Sequence, residues 1–149
     1  GACGPVPDTL MDTTMTDKDQ TMRRILERDK TIAVVGFSHS RARAGYYVPA
    51  YLHKHGYRII PVNPYIEEAL GEKAYASLLD IPDKVDLVEV FRRPEFIPQV
   101  VDEAIQIGAR SIWLQLGIRN DVAAKTALEA GLDVVQDACM MVEHRRLMV

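Results

Sequence analysis

Five apolar runs punctuate the chain, over residues 31–35, 57–62, 85–91, 111–116 and 132–136. They are continuous, not alternating. Strands buried on both faces read this way, and burial on both faces is the habit of parallel sheets. Between the runs lie segments with helical spacing. Residues 17–28 set Met22, Ile25 and Leu26 on one side, with Asp17 as the cap. Residues 46–55 stop at Gly56, 94–107 at Gly108 and 120–130 at Gly131. Glycine past a helix end supplies the positive φ that such ends favour. Pro94 suits a first turn and Asn120 an N-cap. Residues 75–79 predict one short helical turn, and 142–148 a closing helix.

Strands alternating with helices predict an α/β fold with right-handed crossovers. The expected architecture is a Rossmann-like, doubly wound, five-stranded parallel sheet of order 3-2-1-4-5, with helices on both faces. A single domain is expected over 17–149. Residues 1–16 are expected to be disordered or to include non-native residues, and they lack the basic start and apolar block of a secretion signal.

Composition changes this picture little. The chain is 48% hydrophobic and 26% charged, with a net charge of −3, which argues against nucleic acid or a membrane surface as partner. No run approaches the ~20 apolar residues of a membrane span. Cys3 and Cys139 have no metal-ligand spacing and build no disulfide framework, so a cytoplasmic setting is expected.

In a doubly wound sheet, ligands bind beyond the C-terminal strand ends. After the first strand comes Gly36-Phe37-Ser38, followed by Arg41 and Arg43 and then a helix. A turning glycine, a hydroxyl, free amides and a helix N-terminus suit phosphate. The competing reading is a plain strand-to-helix turn with solvated arginines. The loop is not a G-x-G-x-x-G, and Val62-Asn63-Pro64 stands after the second strand where an NAD site wants a carboxylate. Asn63 fits an adenosine contact or a simple turn. Arg92-Arg93 brings two more charges to the same edge. Gln115 and Gly117 fit a neutral, pantetheine-like arm or an ordinary strand end.

Several stretches here, taken in order and spacing, resemble the small bacterial and archaeal CoA-binding proteins, stand-alone relatives of the CoA-binding domain of the succinyl-CoA synthetase α subunit. They include Ile32-Ala33-Val34-Val35-Gly36-Phe37-Ser38, Tyr57-Arg58-Ile59-Ile60-Pro61-Val62-Asn63-Pro64, Val90-Phe91-Arg92 and Trp113-Leu114-Gln115-Leu116-Gly117. The resemblance implies coenzyme A or an acyl-CoA as ligand. Gly36 and Ser38 would hold the diphosphate with Arg43 nearby, and Val62, Asn63 and Pro64 would flank the adenosine. Phe91, Arg92, Gln115 and Gly117 would line the path to the pantetheine. The chain departs from the family's pattern at Arg41, Ala44 and Gly45, and at Ala138, where relatives commonly carry arginine. The synthetase's phosphohistidine region has no counterpart, so ligase activity is not implied.

Cys139 and His144 are five positions apart, which is no recognised nucleophile–base signature, and no opposed carboxylate pair is evident. The expectation is a CoA-binding module without a catalytic centre. An enzyme acting on a CoA thioester and an NAD(P)-binding oxidoreductase module remain as alternatives, and assembly into homo-oligomers stays open.

Overall fold

The computed structural model describes residues 15–149. Cys3 and nearly all of the 1–16 segment lie outside the described residues. Helix α1 (Asp17–Arg28) leads into β1 (Thr31–Val35), α2 (Ala44–Lys54) and β2 (Arg58–Val62). A small antiparallel hairpin, β3 (Glu68–Ala69) and β4 (Glu72–Lys73), follows. Then come a 3-10 turn at Leu78–Asp80, β5 (Leu87–Val90) and a second 3-10 turn at Pro94–Phe96 running into α3 (Ile97–Gln106). The chain closes with β6 (Ser111–Leu114), α4 (Asp121–Glu129), β7 (Asp133–Val135) and α5 (Met140–Met148).

The main sheet is parallel throughout, in the order β2-β1-β5-β6-β7. The segment following the hairpin returns along the outer edge of β2, where Tyr75 bridges Val62 in parallel sense. Counted with that segment, the succession is the 3-2-1-4-5 pattern expected, continued by one strand. The edge place belongs to the Tyr75 segment, while β5 (the third long apolar run) pairs directly with β1. A short bridge at Tyr75 has no apolar run to announce it. Residues 75–79 were expected to form one helical turn, and the turn starts later, capped by Ser77 Oγ accepting from the Leu79 N–H.

Alternate strand residues face opposite layers. Ile32, Val34, Ile59, Leu87, Trp113 and Val135 pack under α1, α2 and α5. Ala33, Val35, Val62, Val88, Ile112 and Leu114 pack under α3 and α4. Helix starts follow local chemistry. Thr16, not Asp17, caps α1 by accepting from the Asp19 N–H at 3.0 Å, and Asn120 caps α4 by accepting from Ala123. The acidic Asp17 and Asp19 then sit in α1's first turn, where the helix dipole favours them.

The two ends of the sheet differ. At the N-terminal end, fully buried Asp29 accepts from Arg28 and from the Ser111 hydroxyl, and Arg28 also pairs with Asp133. This network joins α1 to β6 and β7 and leaves the opposite end for ligand. There Gly36 turns the chain with φ +85°, and a Cβ at this position would lie 2.5 Å from the Phe91 carbonyl oxygen. The backbones leaving β1 and β5 touch at this point. Gly36→Ala is therefore expected to lower the free energy of unfolding by on the order of 2–4 kcal/mol, through a left-handed φ and a backbone clash together. Urea denaturation at constant m-value is the check.

Candidate functional site

The strand ends place the candidate residues as follows. Ser38 lies in a tight loop in which its N–H donates to Gly45 O at 3.1 Å and its Oγ accepts from Ser40 N at 3.0 Å. The hydroxyl proton is left for a ligand oxygen. Helix α2 starts at Ala44, two residues earlier than the pattern suggests, and its N-cap Arg43 makes no side-chain cap bond. Tyr46 and Tyr47 N–H donate to Arg43 O, while the Ala44 and Gly45 N–H groups have no partner among the described residues, an opening that suits an anion. Phe37 is different: its ring is buried in the core, edge-on to Tyr46, so only its backbone belongs to the loop.

Asn63 is a brace. Its Nδ2 donates to Phe37 O at 2.8 Å, and its Oδ1 accepts from Tyr65 N at 2.8 Å. One side chain thereby locks the loop after β1 to the loop after β2, and no carboxylate stands where an NAD ribose would need one. Gly117 is likewise occupied, its N–H donating to Asp137 Oδ1 at 2.7 Å. Asp137 holds a positive φ of 55° to reach it. This contact stitches the loop after β6 to the loop after β7.

Two cavities open along this edge. The larger, about 390 Å³, lies among Tyr47, Phe91, Arg92, Gln115, Gly117 and Cys139. The second, about 320 Å³, is bounded by Gly36, Val62, Asn63, Pro64, Tyr65 and Arg92. Arg92 borders both. Ser38, Arg41 and Arg43 line neither cavity and stand in the loop and helix start beside them.

Arg41, Arg43, Arg92 and Arg93 are all exposed, and among the described residues none is in an ion pair. Three rest their guanidinium groups on aromatic rings: Arg92 lies 3.9 Å and Arg93 5.7 Å from the Phe96 ring centre, and Arg41 lies 5.9 Å from that of Tyr46. Stacking holds the plane and leaves the N–H edge for an anion.

Cys139, the candidate nucleophile, sits on the wall of the larger cavity. His144 turns elsewhere. Its Nδ1 shares a 2.8 Å hydrogen bond with Tyr51 Oη, and its ring packs among Tyr51, His55 and Tyr57. Burial, then the nearby His55 and Lys30, press its pKa below the ordinary histidine value.

The residue that sequence reasoning passed over is Glu89. It stands in β5 with Val34 and Trp113 as register partners and is fully buried. One oxygen accepts from Gln115 Nε2 at 2.7 Å, while the other has no partner among the described residues. Burial alone pushes its pKa from the ordinary 4.5 up to about 8. The signal was present in the sequence: a lone acid inside Leu87-Val88-Glu89-Val90, a strand with no solvent face.

With this geometry in hand, likeness to known proteins becomes informative. A family model described as "CoA binding domain" matches residues 30–145, nearly the whole described chain. The chain belongs to this CoA-binding domain family. It is 43% identical to the uncharacterized protein YneT of Bacillus subtilis over 123 residues, covering 83% of this chain and 91% of that protein. An ADP-forming acetate–CoA ligase II of Archaeoglobus fulgidus is 35% identical over 83 residues, and that match spans 12% of the ligase. Among solved structures, a hypothetical protein from Pyrococcus horikoshii superposes with a TM-score of 0.85 at 46% identity, covering 91% of this chain and 94% of that one.

The buried acid has a measurable consequence. A carboxyl whose pKa is raised on folding stabilises the fold most fully below its unfolded value and loses that contribution as pH rises through the folded value. Relative to Glu89→Gln, the wild type should lose stability as pH climbs from about 4.5 to about 8 and then run parallel. The total change is on the order of a few kcal/mol. Chemical denaturation of both proteins across this range tests it, and a constant difference would show that Glu89 keeps an ordinary pKa.

Proposed function

We propose that this chain binds coenzyme A or an acyl-CoA without catalysing its transformation. The carrying observation is the pair of cavities that meet at Arg92, beside four arginines that form no ion pair among the described residues, in a chain of net charge −3. Such local charge, set against an acidic whole, fits a ligand with several phosphates. In this reading the diphosphate lies at the Gly36–Ser38 loop, held by the α2 amides, Arg41 and Arg43. The adenosine end takes the cavity beside Val62, Asn63 and Pro64, and the pantetheine arm takes the larger cavity between Phe91, Arg92, Gln115 and Gly117. The family's name and the ADP-forming acetate–CoA ligases among its relatives support CoA as the ligand class.

Binding without chemistry is supported by His144 facing Tyr51, which leaves the cavity's thiol without that base. An enzyme using a CoA thioester is the second reading, favoured by Cys139 lying on the wall where the pantetheine would end. An electrophilic acyl-CoA analogue that labels Cys139 at a saturable rate would promote it.

Isothermal titration calorimetry with CoA, dephospho-CoA and NAD tests the main reading. CoA is expected to bind most tightly, with affinity falling as salt rises. Arg43→Ala and Arg92→Ala should each weaken it about tenfold or more, the scale of a lost charge-assisted contact. Binding of NAD in preference to CoA would overturn the proposal.

A further inference from the structure

The larger cavity has a polar floor built in an otherwise apolar layer. Gln115 is 3% exposed, and both ends of its amide are engaged: Nε2 donates to Glu89 Oε2 at 2.7 Å, and Oε1 accepts from Met140 N at 3.4 Å. These two bonds fix which way the amide faces. They leave one N–H of Nε2 without a partner among the described residues, on a side chain that lines the cavity. They also tie β5 and β6 to the first turn of α5, beside Cys139. We infer that the buried Glu89 carboxyl is the positioning residue that holds Gln115 in this orientation, so that the remaining amide N–H meets a carbonyl of the bound arm, either a pantetheine amide or the thioester of an acyl group. This rests on the CoA reading and adds to it the group that recognises the arm.

The surroundings make the arrangement sensitive to charge. On the sheet, Glu89 is flanked by Val34 and Trp113. Helix α1 presents Met22, Ile25 and Leu26 to this layer, and α2 presents Val48 and Leu52, with Tyr46 and Tyr51 at its margin. Helix α5 brings Met140 and His144, and Cys139 lies at its start. No cation of these elements compensates Glu89, whose raised pKa comes from burial alone. The cavity's other ionisable groups are Arg92 and Arg93 at the end of β5, Tyr47 on α2 and the Cys139 thiol. Neutral at pH 7, the acid keeps the floor uncharged. Ionisation would place an unpaired charge under the arm, where it would draw in water and unsettle the amide.

The test is acetyl-CoA binding by the full chain in a Cys139→Ser background, which removes the cavity's thiol, with a ligand that itself has no free thiol. Titrations run from about pH 7 to about 9.5, the span around the raised carboxyl pKa. If only the neutral acid supports binding, the dissociation constant should rise by up to about thirtyfold across that span. Glu89→Gln, which keeps an acceptor for Gln115 and cannot ionise, should hold affinity constant within about twofold. Glu89→Ala and Gln115→Met should each weaken binding about tenfold at neutral pH, with glutamine at 89 restoring what alanine loses. Should Glu89→Ala fail to fold, the Glu89→Gln pH profile and Gln115→Met decide the matter. An affinity in the Cys139→Ser protein with Glu89 intact that is flat with pH, or unmoved by Gln115→Met, would overturn this inference and leave the CoA reading standing. No wild-type binding at any pH would overturn both.

Discussion

A parallel sheet covered on both faces has only its strand ends to offer a ligand, and here the two ends have been given different tasks. Buried Asp29 gathers Arg28 and Ser111 at the N-terminal end, holding α1 against the sheet. At the C-terminal end the strands part around Gly36, whose missing side chain lets β1's exit lie against the Phe91 carbonyl. That contact fixes where the loop after β1 starts relative to the end of β5. It sets Gly36, on the wall of the smaller cavity, against Phe91, on the wall of the larger, with Arg92 bordering both.

Much of the polar chemistry at this edge serves the protein's own backbone. Asn63 binds the first loop to the second, Asp137 binds the fourth to the fifth, and Gln115 binds β6 to α5. These bonds preorganise a rim of loops that would otherwise move independently, which lowers the ordering cost of binding. They also divide the labour among residues. Asn63 and Gln115, candidate ligand contacts in the sequence, also serve as braces, and among the described residues the groups at this edge without a protein partner include the arginines' N–H edges and the Ser38 hydroxyl proton.

Glu89 illustrates the cost of a buried acid. A carboxylate there would have lost its water with no cation to compensate, so the proton stays on at neutral pH. Its neighbour Gln115 converts that burden into a fixed amide beneath the larger cavity. The acid is a local destabilisation that grows with pH, set against the bond it makes to Gln115.

The sequence by itself determined the fold class, because unbroken apolar runs, helical spacing and terminal glycines each follow from local backbone geometry and from burial on both faces. It placed Gly36, Val62, Asn63, Pro64, Phe91, Arg92, Gln115 and Gly117 at the C-terminal edge of the sheet, where the structure also has them, since strand ends can be read from where the apolar runs stop. Only the tertiary structure decided what each of these does. Asn63 as brace, Phe37 as core, His144 turned to Tyr51 and Glu89 bonded to Gln115 are pairings between residues 9 to 93 positions apart in sequence, which periodicity does not report. The Tyr75 edge segment escaped for a related reason: a single bridge has neither a period nor an apolar run, and it exists because β2 leaves a row of backbone groups for something to pair with.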